Sequence, residues 1–347
     1  MPAKFYTPDV TLQSTLEKIL ETIWATFPQL AQNQIAVTWI PYEPPYRVNT
    51  GGALSAEAFW QYQPMGASYR GVELISPESL VGLFYLVAAH VWLEQGMIQP
   101  TLDLELALKD MVAEASTDAL SYVLDVLSGT TSGPSLPSGP MVTWRSQRNI
   151  VNRYFQQLGW PELRAVNMNQ KVWQSNAYGR ERDFLEETLE NRNMLTTESV
   201  ARLLHSIVGG VSVSGARSEA MMAVMAQPQR TAQPQRTAQP QRTAQPQRSA
   251  QPQNMDTTAA AGCISSGIAP KTNAAIKIWS ASATSPLVRH DAAYVEADGS
   301  HPYVLVIFTE GRDNSQNMEI IPMVSQLVFA ASQEMFQPIS GDTGHGH

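Results

Sequence analysis

Residues 69–94 read YRGVELISPESLVGLFYLVAAHVWLE, and this stretch decides the fold. Its first part, Tyr69–Ile75, carries the β-branched and apolar residues of a strand. Ser76 and Pro77 then supply the chemistry of a helix start, and a long apolar run follows through Glu94, with Gly96 as a natural stop. The apolar stretch Leu80–Leu93 is 14 residues long and includes Gly82 and His90. A bilayer needs roughly 20 residues of helix, so this is a helix buried in protein rather than in lipid. The unit is a strand that runs directly into a buried helix opened by serines.

Upstream, residues 10–30 place Leu12, Leu16, Ile19, Leu20, Ile23 and Trp24 at helical spacing, and Ile35–Tyr42 reads as a strand. Glu43–Gly52 is turn chemistry. Downstream, a mostly helical region spans Leu102 to about Met225, with pieces at 102–114, 117–127, 145–158, 181–191 and 197–208 and a breaker loop at Ser128–Pro140. Three further strands follow at Ala275–Ala281, Val288–Glu296 and Tyr303–Thr309, and a helix over Ser315–Phe336 closes the order. The expected fold is α+β: a five-stranded antiparallel sheet covered by the N- and C-terminal helices, plus a large all-helical insert. The expected organisation is one domain over 1–335. Its α/β part covers about 8–80 and 270–335, and its helical part about 81–225.

The chain has 347 residues, 31 acidic and 23 basic, for a net charge of −8. Residues 226–253 repeat AQPQRT three times and AQPQRS once, and end in a partial AQPQ. Four arginines and no acid lie in that tract, so the remaining chain carries a net −12. An acidic body argues against nucleic-acid binding and against a polybasic membrane surface. Proline at every sixth position breaks both helix and sheet ladders, so the tract reads as a disordered or polyproline-II-like insertion. The tail 337–347 reads as flexible. A single cysteine, Cys263, excludes an intramolecular disulfide. No signal peptide or transmembrane segment is legible, which gives a cytoplasmic expectation.

The element order, with a serine opening a buried helix just after the second strand, resembles the serine β-lactamase and penicillin-recognising hydrolase fold. Several stretches carry the likeness further: SGTTSGP (128–134), RNIVNRYFQQLGWPEL (148–163), YGRER (178–182), ENRNMLTT (190–197), ARLLHSIVGG (201–210), VRHDAAYVE (288–296) and IFTEGR (307–312). They are similar to a signal-less branch of class A β-lactamase-like serine hydrolases, and the likeness covers roughly 10–335 apart from the repeat. The resemblance implies an acyl-serine mechanism resting on three motifs, S-x-x-K, S-x-N and K-x-G. The first serine is acylated, and the lysine one helical turn later takes its proton. The second serine relays a proton to the leaving group. The third motif puts a cation near the substrate carboxylate.

On this sequence the first motif falls on Ser79-Leu80-Val81-Gly82, so Ser79 keeps the nucleophile position and Gly82 replaces the lysine. The second falls on Ala115-Ser116-Thr117, with Ala115 for the serine and Thr117 for the asparagine. The third falls on Ala281-Ser282-Ala283, with Ala281 for the lysine and Ala283 for the glycine. None of the six lysines lies three residues after a serine. Lys271-Thr272-Asn273 and Ser315-Gln316-Asn317 match motifs on paper but in the wrong context. Lys277 shares a strand face with Ala281, and Asp118, with Glu114 behind it, is the acidic candidate for a relocated base. Glu187 with Asn191, and Glu181, are the carboxylates to weigh for deacylation, but the segment has no clear omega-loop signature. Two polar residues at i, i+4 on a helix are more often a solvated face, and they are not assigned a catalytic role.

Plainer readings stand beside these. A serine near a helix start is most often a cap. His90 and His205 read as core histidines, His290 and Asp291 diverge on alternate strand faces, and His345 and His347 on a loose tail make a poor metal site. Two functions follow. One is a catalytically degraded member of the fold that acts as a binding or scaffold protein, with a small-molecule or peptide ligand in the ancestral cleft and a protein partner for the repeat as a further option. The other is an active serine hydrolase, acting on β-lactam or other amide and ester bonds, in which Ser79 is served by Lys277 or Asp118. Neither needs a cofactor or metal.

Overall fold

The computed structural model describes residues 4–42, 55–173, 176–186, 189–227, 262–268 and 276–335. The repeat from residue 228 onward, Lys271, Glu187 and the tail with His345 and His347 lie outside the described residues.

The sheet has six strands, not the expected five: β1 (Thr7–Pro8), β2 (Ile35–Pro41), β3 (Met65–Tyr69), β4 (Ile276–Thr284), β5 (Val288–Ala297) and β6 (Tyr303–Glu310), in the order β1-β3-β2-β6-β5-β4. All neighbours are antiparallel except the short β1–β3 pair, which is parallel. The second strand lies earlier than its sequence suggests. It ends at Tyr69, opposite Val37, and the chain then turns with Arg70 at φ +50°. Val72 and Leu74, which imitate a strand in the sequence, are exposed. Ile75 survives as an isolated bridge to Leu195.

One face of the sheet is covered by the first and last helices. Asp9 caps helix Val10–Thr26 by accepting the Leu12 N–H at 2.8 Å, and Leu12, Leu16, Ile19, Leu20 and Ile23 face inward. They meet Val37 and Trp39 of β2, Leu305 and Ile307 of β6, and Ile320, Ile321, Val324 and Val328 of helix Ile320–Met335. The closing helical segment is therefore two pieces, Arg312–Gln316 and Ile320–Met335.

The other face carries the helical part. Every residue from Gly82 to Trp92 of helix Gly82–Glu94 is buried, so it has no polar stripe; it is the central rod of that layer. Helices Leu102–Ala113 and Thr117–Ser128 pack beside it, and helix Thr197–Val208 lies against the sheet. The expected helix at 145–158 is two, Ser138–Arg148 and Ile150–Gln157, broken at Asn149, whose side-chain oxygen accepts from Asn152 and Asn169. The expected helix at 181–191 is Arg180–Leu185, stopped by Glu186 at φ +63°. No helix among the described residues is long and apolar enough to cross a membrane.

Candidate functional site

Ser79 sits in a 3-10 turn, Glu78–Val81, that leads into helix Gly82–Glu94. The turn packs against β4, the edge strand. The Ser79 hydroxyl donates to the Ser282 carbonyl at 3.5 Å, a long contact, and the residue is 8% exposed. Glu78, directly before it, has φ +49°, a conformation that costs a non-glycine residue energy and persists only where neighbours enforce it. His290 of β5 hydrogen-bonds the Ser76 carbonyl through Nε2 at 2.8 Å, while its Nδ1 accepts the Thr309 N–H at 3.3 Å. That pairing assigns the proton to Nε2 of a neutral ring. Burial also pushes the His290 pKa down to about 4. Burial pushes the Glu78 carboxyl up, and a hydrogen bond from Ser285 acts in the opposite sense.

The space beside Gly82 is filled by apolar atoms. A Cβ added there would meet Met111 Cγ at 3.0 Å, Met111 Sδ at 3.3 Å and Leu120 Cδ1 at 3.7 Å. Ala115 is half-buried at φ +49° in the turn between two helices. Ser116 caps helix Thr117–Ser128 by accepting the Ala119 N–H at 3.2 Å, and Thr117 is that helix's first residue. On β4, Trp279, Ala281 and Ala283 face the helical layer, and Ala281 and Ala283 are buried opposite Ala292 and His290. Lys277 is exposed and stands opposite Glu296 near the start of the strand; Asp118 and Glu114 are exposed as well.

The remaining sequence candidates go elsewhere. Glu181 is fully buried, with Oε1 2.5 Å from Arg148 and 2.9 Å from the Ser132 hydroxyl. Arg148, also fully buried, reaches Asp125 at 3.1 Å and lies over the Trp144 ring. Lys171 closes the network, 2.6 Å from Asp125 and 2.9 Å from Ser132. Arg148 and Glu181 pair across 33 residues, which no local pattern in RNIVNRYFQQLGWPEL or YGRER announces. Met111 beside Gly82 is likewise unannounced. Asn191 donates to the Phe184 carbonyl. His290 and Asp291 do diverge: Asp291 accepts the Ile264 N–H at 2.6 Å on the opposite face, and burial pushes its carboxyl up to about 7. His205 pairs with the Tyr42 hydroxyl at 2.8 Å, whereas the buried Nδ1 of His90 has no hydrogen-bond partner among the described residues. Ser315 donates to the Pro286 and Arg312 carbonyls. Among the described residues, no group of three or more His, Cys, Asp or Glu side chains is placed to hold a metal ion.

Residues 140–332, more than half of the chain, match the profile described as the beta-lactamase enzyme family. The chain belongs to that family. The matched span contains the Ala281-Ser282-Ala283 strand and the Arg148 network, but it begins after Ser79, Gly82 and Ala115. Solved structures agree on the fold. A structure titled PBP-A superposes with a TM-score of 0.56 at 14% identity over 95% of this chain and 98% of its own. A mutant of it, described as an acyl-enzyme complex with penicillin G, does so with a TM-score of 0.56 at 14% identity over 96% of this chain and 100% of its own. A β-lactamase from Sphaerobacter thermophilus gives 0.56 at 13% identity over 94% and 99%. No curated protein matches the sequence. The chain thus has a beta-lactamase-like serine hydrolase fold.

Proposed function

We propose that this chain is a catalytically degraded member of the beta-lactamase family, which acts as a binding or scaffold protein rather than in acyl transfer. The observation that carries the reading is at Gly82: where the family's first motif has its lysine, the neighbourhood is Met111 and Leu120. The first atoms of a lysine side chain there would press on a thioether and a leucine. A serine hydroxyl without a base is a weak nucleophile near neutral pH, and the hydrogen bond made by Ser79 runs to a carbonyl, which cannot take its proton. Ala281 and Ala115 offer neither the second lysine nor the relay hydroxyl. The exposed positions of Lys277 and Asp118 give the relocated-base reading no support. The ligand in this reading is a small molecule or peptide.

The test is covalent labelling of the full chain with a fluorescent penicillin and with a fluorophosphonate, read by intact mass and peptide mapping. No adduct on Ser79 is the expected result. Stoichiometric labelling of Ser79, abolished by Ser79→Ala, overturns the proposal.

A further inference from the structure

On the back of the sheet, a short piece of chain rests on a buried carboxyl. Residues 262–268, with the helical turn Ile264–Gly267, pack against β5 and helix Ile320–Met335. Ile264 and Ile268 bury their side chains in the core between the sheet and that helix. The Ile264 carbonyl accepts the Ser325 hydroxyl at 2.9 Å, and the Ile264 N–H donates to Asp291 Oδ2 at 2.6 Å. A helix of four residues has no stability of its own, so the segment is held by these attachments.

Asp291 is fully buried, and its other oxygen, Oδ1, has no hydrogen-bond partner among the described residues. Each packed element brings its own group. On β5 itself Arg289 shares the Asp291 face two residues away, and its Nε donates to the Ser315 carbonyl at 2.9 Å. β4 places Ser282 opposite, and β6 places Ile307. Helix Ile320–Met335 brings Ser325, already bonded to Ile264. The segment brings Cys263, whose thiol burial pushes up to about 12, so it stays neutral. Among the described residues, Arg289 is thus the charged group that acts on Asp291, and Cys263 the other titratable one. A carboxylate is far costlier to bury than a carboxylic acid. Burial pushes the Asp291 carboxyl up to about 7, against the Ile264 and Ala292 N–H groups, the Cys263 thiol and Arg289, which favour the charged form.

We propose that residues 262–268 form a pH-sensitive latch, closed while Asp291 carries its proton and loosened once the carboxyl ionises, because opening lets water reach the buried oxygens. An open segment returns the carboxyl to its ordinary value near ~4. The closed form therefore binds the proton more tightly. Its advantage is complete below pH ~4, falls as the pH rises to about 7, and changes little above that. Ser282, opposite Asp291, is also the residue whose carbonyl accepts the Ser79 hydroxyl, so the latch stands directly behind the candidate site.

Hydrogen exchange of the full chain from pH 5 to pH 8, with intrinsic rates divided out, tests the latch. Mass spectrometry reads peptides covering 262–268 and, as the reference, β6. Protection of 262–268 is expected to fall at least ~10-fold from pH 5 to pH 7 and less than ~3-fold from pH 7 to pH 8, with β6 unchanged. Asp291→Asn keeps an oxygen for the Ile264 N–H and is expected to make that protection independent of pH. If the variant fails to fold, the contrast between 262–268 and β6 in the parent chain decides. Protection of 262–268 that is flat from pH 5 to pH 7, or that falls equally in Asp291→Asn, overturns the latch. A parallel fall in β6 overturns it too, because the carboxyl then reports on unfolding of the whole sheet.

Discussion

At the scale of single residues, the question turns on what replaces a missing side chain. Gly82 has ordinary helical backbone angles, φ −55° and ψ −26°, so the backbone itself would accept a lysine there. The obstacle is Met111, 1% exposed, whose Cγ and Sδ take the first atoms of the space a longer side chain would use. Restoring the motif with Gly82→Lys is therefore expected to cost about 1–3 kcal/mol, because the longer side chain overpacks against Met111. Gly82→Ala is expected to stay within about 1 kcal/mol of the parent, since better helix propensity offsets the tight contact. The double variant Gly82→Lys with Met111→Ala should recover part of the loss. Urea denaturation of the three variants measures this; a Gly82→Lys protein as stable as the parent would show that the site still accommodates a lysine. The sequence displays the loss of the lysine, but only the packing displays that a methionine 29 residues away stands in its place.

At the scale of elements, a buried ionic network ties several helices of the helical layer together. Asp125 comes from helix Thr117–Ser128, Arg148 from the end of helix Ser138–Arg148, Glu181 from helix Arg180–Leu185, and Ser132 and Lys171 from the loops between. Breaking such a network from one side leaves the opposite charge stranded. Glu181→Gln is expected to destabilise the fold by about 3–5 kcal/mol. The paired change Arg148→Met with Glu181→Leu is expected to cost less than Glu181→Gln alone, because no unmatched charge remains. Thermal and urea unfolding compare the two; a double variant less stable than the single one would show that the ion pair itself, rather than charge balance, holds the layer. Elements with strong local signals were legible. Helix Thr197–Val208 has the predicted ends, because Thr196 accepts the Ser199 N–H and the Ser199 hydroxyl bonds back in a capping box. Elements made by tertiary pairing were not. Two residues of β1 carry no periodicity, and Val72 with Leu74 copy a strand while lying exposed in a turn.

At the scale of the whole molecule, the two ends of the undescribed stretch after Gln227 are tied to neighbouring strands. The Gln227 N–H donates to the Ile278 carbonyl of β4 at 2.9 Å. The Ile264 N–H donates to Asp291 of β5 at 2.6 Å, and the Ile264 carbonyl accepts from Ser325 at 2.9 Å. Asp291 lies opposite Ser282, four residues along β4 from Ile278. The anchors are therefore separated by about 13 Å along the sheet, plus a step onto its back face. Excision of residues 228–253 leaves eight residues, 254–261, to join them, and eight extended residues reach about 26 Å. The shortened chain is expected to fold with unchanged far-UV circular dichroism and a stability within about 1 kcal/mol of the parent, because loop length enters closure entropy only logarithmically. The same excision removes four arginines and no acid, so the net charge falls from −8 to −12. Melting curves at low and high salt separate the two effects. A charge penalty shrinks as salt screens it, whereas a loss of stability that persists at high salt would mean that the AQPQRT units make contacts the fold depends on.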